Sequence, residues 1–295
     1  MDRIFRHIEK EMTHVNIQGC NPILHARSKN YFWEGKGALS VKTFKNGRAF
    51  YQAGHGHFAV DEGNYLLLNR DQEYSITIES EVPVESFCIF FPEMMVEEVY
   101  HDTMASNEQL LDNPDFSKSK SVDFVEKTYS DQWIAAALLQ IKAGYTNKPF
   151  DRTWLEEKLY ELAYGLLKAH RQVNNEIMKL PSLKASTRKE LYKRIQIGHE
   201  FISAYFDQSL TLADIARAAC LSPNHFLRNY KQLFGMSPHQ FLTEKRLQEA
   251  NRLLLQTDKS ITAICLEVGF QSPSSFSGLF SKRFSMTPSQ YRQKR

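Results

Sequence analysis

The sequence predicts an α+β multidomain chain: an N-terminal β-barrel with trailing helices, then an all-α domain of two helix-turn-helix units joined by a linker helix. Three observations carry that prediction. Short β-prone runs broken by turn residues fill the first third, apolar residues then adopt helical spacing, and a fifty-residue repeat occupies the last third. The 295 residues amount to about two average domains, and 42% hydrophobic with 24% charged residues is a composition that buries a core in each. Disordered and fibrous chains are thereby excluded. Runs such as 134–139 and 65–68 fall far short of the roughly 18 apolar residues of a membrane span, and the start Met1-Asp2-Arg3-Ile4 has no secretory apolar region, so a cytoplasmic chain with no membrane partner is expected.

The β region comes first. Residues 38–44 and 49–51 are extended runs on either side of Lys45-Asn46-Gly47-Arg48, and Asn-Gly between β-prone runs reads as a hairpin. Residues 57–68 repeat the pattern, followed by runs at 75–78 and 85–91, and the whole of 17–91 reads as a small barrel or sandwich. Beyond Pro92 the period lengthens, with helical spacing over 132–141 and 154–167. The helices near Trp133 and Trp154 either pair two chains into a homodimer or pack on the barrel. The polar stretch 173–189 reads as an interdomain linker, which gives a sensing and dimerisation domain at 1–172 and a second domain at 190–295.

Charge divides at the same place. Of the 37 Lys and Arg and 34 Asp and Glu, residues 186–295 hold sixteen and eight, a charge of +8; residues 1–185 hold twenty-one and twenty-six, or −5. The total of +3 averages an acidic body and a basic end, the asymmetry of a chain of which one part meets a polyanion. Cys20, Cys88, Cys220 and Cys265 lie far apart without a C-x-x-C pair, and read as reduced, mostly buried thiols.

The repeat is the most specific feature. Residues 222–241 lie over 272–291 at a constant offset of fifty, and Leu212, Ile215 and Ala216 fall on Ile261, Ile264 and Cys265 at an offset of forty-nine. Each copy reads as helix, tight turn, helix, with the units at about 210–234 and 260–284. In the first, Thr211 is placed to cap a helix with the stripe Leu212, Ile215, Ala216 and Ala219. Ser222 then caps a second helix with Pro223 at its first position, where a missing N–H costs nothing. Phe226, Tyr230 and Phe234, matched by Phe276, Phe280 and Phe284, recur at i, i+4, i+8, and such stripes are core rather than platforms for stacked bases. DNA-reading groups must lie opposite them. There, beyond Ser222, the first unit offers Asn224, His225, Leu227, Arg228 and Lys231. Arginine can hold a guanine edge, asparagine an adenine edge and lysine a phosphate. The stretch 238–256 between the units carries Leu242, Leu247, Ala250, Leu253 and Leu254 on an apolar face; its nineteen residues would make a helix of about 28 Å, suited to holding two recognition helices in successive major grooves.

These residues resemble the AraC/XylS family of bacterial transcription regulators. The resemblance covers about 190–292 and rests on Arg246-Leu247, Ala250, Val268-Gly269-Phe270, Ser272, Phe276, Phe280, Phe284, Thr287-Pro288 and Tyr291-Arg292. It implies a sequence-specific regulator of double-stranded promoter DNA, an activator that works with RNA polymerase and responds to an unidentified small-molecule effector. The N-terminal half is similar more loosely, through residues 54–63, to the family's cupin-like effector domain. Two departures concern the second unit: many members carry basic residues where this chain has Gly278 and Ser281. Ser272, Ser274, Ser277 and Lys282 are therefore expected mainly to hold DNA backbone while the first unit reads bases. Ser285 in place of the usual glycine is expected to matter only structurally.

One competing chemistry remains. His55-x-His57 followed by Glu62 has the H-x-H-x4-E spacing of metal-binding cupins, and two histidines at i and i+2 on a strand face the same side. The alternative is thus a cupin-type metalloenzyme domain fused to a DNA-binding domain. Against it, Glu62 falls within Asp61-Glu62-Gly63-Asn64, a turn, and no later segment supplies a further histidine ligand. No phosphate loop, dinucleotide fingerprint, H-E-x-x-H or G-x-S-x-G occurs, and neither enzymatic activity nor a cofactor is expected.

Overall fold

The computed structural model describes residues 22–104, 122–147, 151–181 and 184–293; Ile17 and Cys20 lie outside them. The chain divides into two compact units, one formed by the residues up to Gly54 with Val60–Asn175, the other by His55–Ala59 with Glu176–Arg295.

The strands are β1 (Ile23–Lys36), β2 (Ser40–Lys45), β3 (Ala49–Ala53), β4 (Gly56–Val60), β5 (Tyr65–Leu68), β6 (Glu73–Phe90) and β7 (Thr128–Tyr129). They form an antiparallel sheet in the order β4-β3-β6-β2-β5-β7, with β1 also on β6. The runs at 75–78 and 85–91, expected as separate strands, are halves of the single strand β6. The polar stretch between them is where pairing slips, since Ser28 faces Val84 but Asn30 faces Glu79. β6 also pairs β3 through residues 74–77 and β2 through residues 85–90. A long strand that changes partner at such an irregularity curls its sheet around a core. The hairpin expected at Asn46-Gly47 does not form: β2 and β3 both run antiparallel to β6, end to end along it, so the chain kinks there without reversing; Asn46 takes the left-handed conformation (φ 62°), and a Cβ on Gly47 would stand 2.6 Å from Val84 Cγ2.

Inside lie Val41, Phe44, Tyr51, Leu66, Tyr74, Cys88 and Phe90. Lys42 is buried with them, its ammonium 4.0 Å from the centre of the Phe90 ring, and burial lowers its pKa. Helices α1 (Met95–Met104), α2 (Gln132–Asn147) and α3 (Arg152–Met178) follow. The two tryptophans interlock α2 and α3: a Cβ on Gly165 would strike Trp133, and one on Gly144 would strike Trp154. α2 is anchored to the sheet by Lys142, whose Nζ lies 2.8 Å from Glu85 Oε2.

The second unit contains α4 (Ala185–Ala204), α5 (Leu212–Ala218), α6 (Pro223–Phe234), α7 (Pro238–Gln256), α8 (Ile261–Glu267), α9 (Pro273–Phe284) and α10 (Pro288–Arg292). The stretch 173–189 is helical through Met178 and again from Ala185. Cys88 and Cys265 are buried and Cys220 exposed. Among the described residues no helix is long and apolar enough to cross a membrane.

Candidate nucleic-acid interface

Each repeat forms the expected pair of helices. The Thr211 hydroxyl accepts the Asp214 N–H while the Asp214 carboxylate accepts the Thr211 N–H, a reciprocal cap that fixes the start of α5. Ile215, Ala216 and Ala219 are buried. Cys220, in the turn, takes a left-handed φ of 51°. The aromatic stripe of α6 is core: Phe226 and Tyr230 are fully buried, and His199 of α4 stacks on Phe234 at 4.4 Å and places Nδ1 2.9 Å from the Tyr230 hydroxyl. In α9, Phe276 and Phe280 are likewise buried, and Phe280 and Phe284 pack on Tyr291.

With that face spent on the core, the other face of α6 carries Asn224, Arg228 and Lys231 at i, i+4, i+7, all exposed. None of the three side chains makes a hydrogen bond or ion pair with another described residue. Ser222 precedes them as the N-cap, exposed and with no side-chain capping bond. His225 and Leu227 are half-buried at the edge of this face. Asn229, which composition alone could offer as a reader, is buried and donates to the His225 carbonyl at 2.7 Å. On α9, Ser274 and Lys282 are exposed and Ser277 is half-buried. Ser272 caps its helix by accepting the Ser275 N–H at 3.3 Å. Gly278 stands where α6 has Arg228 and faces open space. Arg283 is turned away, its guanidinium pairing with Glu244 of α7 at 2.9 Å. α6 ends on Gly235 in the left-handed region (φ 71°), and at the corresponding position Ser285 adopts φ 59°, a conformation a side chain disfavours.

Two features fix the spacing of the units. α7 spans nineteen residues, about 28 Å, with Leu242, Leu247, Ala250, Leu253 and Leu254 buried. Near its middle, Arg246 donates through Nε to the Phe206 carbonyl and through Nη2 to the Gln208 carbonyl, both at 2.7 Å, and lies 5.7 Å from the Phe270 ring. Burial lowers the Arg246 pKa. Gly269 (φ 89°) completes this junction: a Cβ there would stand 2.6 Å from the Asp207 carbonyl oxygen and 2.9 Å from Arg246. One guanidinium thus ties the segment before the first helix-turn-helix to the turn of the second. Arg246 and Gly269 are among the residues that carry the family resemblance, but their contact has no sequence signal, being made across 23 residues.

The metal-binding alternative fares differently. His55 lies in the turn between β3 and β4, not on the strand with His57, because β4 begins at Gly56. Glu62, in the next turn, accepts the Asn46 N–H at 2.9 Å. Among the described residues no group of three or more His, Cys, Asp or Glu is placed to hold a metal ion. Of the aromatic side chains near the barrel, Tyr51, Phe58, Tyr65 and Phe87 are buried and Phe50 is exposed.

Residues 215–294 match a family described as a helix-turn-helix domain. The chain is 44% identical over 82 residues to an uncharacterised helix-turn-helix-type transcriptional regulator of Haemophilus influenzae, covering 28% of each. It is 37% identical over 93 residues to the melibiose operon regulatory protein of Escherichia coli K12, covering 32% of this chain and 31% of that one. Among solved structures it is similar to the C-terminal domain of AraT, a response regulator from Geobacillus stearothermophilus, with 34% identity, a TM-score of 0.34, and coverage of 35% of this chain and 85% of that one. The chain thus spans less than half the length of the curated relatives it matches.

Proposed function

We propose that this chain is a sequence-specific DNA-binding transcription regulator of the AraC type, a reading supported by the match of residues 215–294 to a helix-turn-helix domain family. The observation that carries the reading is the exposed, unpartnered row Asn224, Arg228 and Lys231 on a helix whose opposite face is core. Arg228 can hold guanine O6 and N7 together, Asn224 can pair with adenine N6 and N7, and Lys231 and Ser222 suit phosphates. Two such units at the ends of a 28 Å helix would enter successive major grooves on one side of a promoter, about 34 Å apart. The first unit would read bases, and the second, through Ser272, Ser274, Ser277 and Lys282, would chiefly hold backbone.

The N-terminal unit is the sensor in this reading, with residues 173–189 as its linker to the DNA reader. A small-molecule effector or a second copy of the chain would shift promoter occupancy or contact with RNA polymerase, and activation is the expected direction. Genome-wide footprinting in the host tests the proposal. Occupancy concentrated at promoters sharing one motif is the expected result, and scattered occupancy without a motif overturns it. In solution, specific sites should bind at least about 1,000-fold tighter than random DNA at physiological salt.

A further inference from the structure

The inner face of the barrel carries a single charge. Cross-strand partners share a face of a sheet; Lys42 pairs with Cys88 of β6 and Leu66 of β5, while Tyr51 pairs with Ile76 and Ala53 with Tyr74. Across the paired positions of β1, β2, β3, β5 and β6, Lys42 is the one charged residue on that face among the described residues. His25, Arg27 and Glu85 lie on the opposite face, where they pair with one another.

Aromatic rings surround this ammonium. Lys42 Nζ stands 4.0 Å from the centre of the Phe90 ring and 5.5 Å from that of Tyr74, and Tyr74 packs on Trp33 at 4.9 Å and on Tyr51 at 5.8 Å. Lys42 is 3% exposed, yet its ammonium makes no ion pair or hydrogen bond with a described residue. Cys88 opposite it supplies no counter-charge, because burial raises the thiol pKa. The hydroxyls of Tyr51 and Tyr74 also have no hydrogen-bond partner among the described residues, and burial raises the pKa of both, so they keep their protons to donate. None of these three polar atoms is sealed as the partnerless Tyr65 hydroxyl is; each keeps surface that another molecule can touch. An ammonium held among aromatic rings without a counter-ion is costly, and a bound anion offsets that cost.

We propose that the barrel interior binds a small aromatic monocarboxylate, its carboxylate held by the Lys42 ammonium with the Tyr51 and Tyr74 hydroxyls as further donors, and its ring lying among Trp33, Phe44 and Phe90. One cation calls for one negative charge, and ring walls suit a ring. On the regulatory reading above this names the class of the effector; binding itself does not depend on that reading, and the two fail separately.

Calorimetric titration of the full chain with phenylacetate, phenylacetamide and 2-phenylethylamine tests binding without DNA. The three compounds share a ring and a short chain and differ in charge. Phenylacetate is expected to saturate one site, the amide to bind at least about tenfold more weakly, and the amine not to bind, as loss of a charged hydrogen bond implies. Lys42→Met keeps an apolar stem and removes an unpaired buried charge, so it should melt no lower than wild type while reducing phenylacetate to the level of the amide and leaving the amide unchanged. Tyr51→Phe keeps the ring and should weaken phenylacetate about tenfold, which decides the matter should Lys42→Met fail to fold. Absence of phenylacetate binding, equal binding of acid and amide, or undiminished affinity in either variant overturns the site. Phenylacetate that binds but leaves occupancy of a promoter fragment unchanged overturns the effector role while the DNA reading stands.

Discussion

Arg283 Nε lies 2.9 Å from each carboxylate oxygen of Glu244, so the guanidinium at the end of α9 is turned back onto α7. The pairing holds the Glu244 carboxyl below its ordinary range and raises the Arg283 pKa. α9 therefore keeps Lys282 as its unpaired cation, where α6 presents both Arg228 and Lys231. The asymmetry of the two proposed recognition helices follows from this pair as much as from Gly278.

Gly278→Arg should restore a phosphate or base contact. The position is open, so the side chain meets nothing, and replacing a mid-helix glycine should add up to about 1 kcal/mol of stability. Affinity for DNA should rise, and the plot of log affinity against log salt should steepen by roughly 0.9, measured by fluorescence anisotropy over a salt series. Gly278→Ala should give the stability without the change in slope.

Arg228→Ala should cost about 1–3 kcal/mol of affinity for a specific site and relax discrimination at one base pair. The double variant Ser274→Ala/Ser277→Ala should cost less. Competition binding against single-base variants of the site checks both; an equal loss in the two proteins would place base reading in the second unit as well.

Gly269→Ala should destabilise the DNA-reading unit by about 2 kcal/mol, because a side chain there is strained at φ 89° and collides with the Asp207 carbonyl. Thermal melting reads the loss. Affinity for a two-groove site should fall more than affinity for a single half-site, since the junction with Arg246 sets the spacing between readers.

Acid should loosen the N-terminal unit through Glu85. Its hydrogen bond with Lys142, helped by those with His25 and Arg27, holds this carboxyl at about 2 against the burial that opposes ionisation. A depressed carboxylate stabilises the fold above its unfolded pKa and loses that contribution as pH falls towards the folded one. The stability difference between wild type and Glu85→Gln, from urea unfolding, should be up to about 3 kcal/mol at pH 7 and shrink between about pH 4.5 and pH 2.

The helical half was legible because its signals are local. The caps at Thr211 and Ser272, the prolines at 223 and 273 and the aromatic stripes all act within one or two turns, and the fifty-residue offset repeats them. α4 was not read, although Tyr192, Ile195 and Ile202 are buried at near-helical spacing, because that segment has no counterpart in the repeat. In the β half, strand identity was readable and continuity was not: whether residues 79–84 end a strand or bend it depends on β1, a partner fifty residues away. The H-x-H spacing is ambiguous for a similar reason, since a strand that begins only at Gly56 leaves His55 in the preceding turn. The pairing that pins α2 to the sheet could not have been read at all, because Glu85 and Lys142 are 57 residues apart.

A helix braced by Arg246 and by the Arg283–Glu244 pair behaves as a ruler cut to one length. On the proposed reading, an operator with about five extra base pairs between its two elements turns the second element to the far side of the duplex. About ten extra restore the phase but lie beyond the reach of 28 Å. Phased insertions that flexibly joined dimers tolerate should therefore abolish two-site binding here, and target promoters should drift in sequence between their elements but not in length.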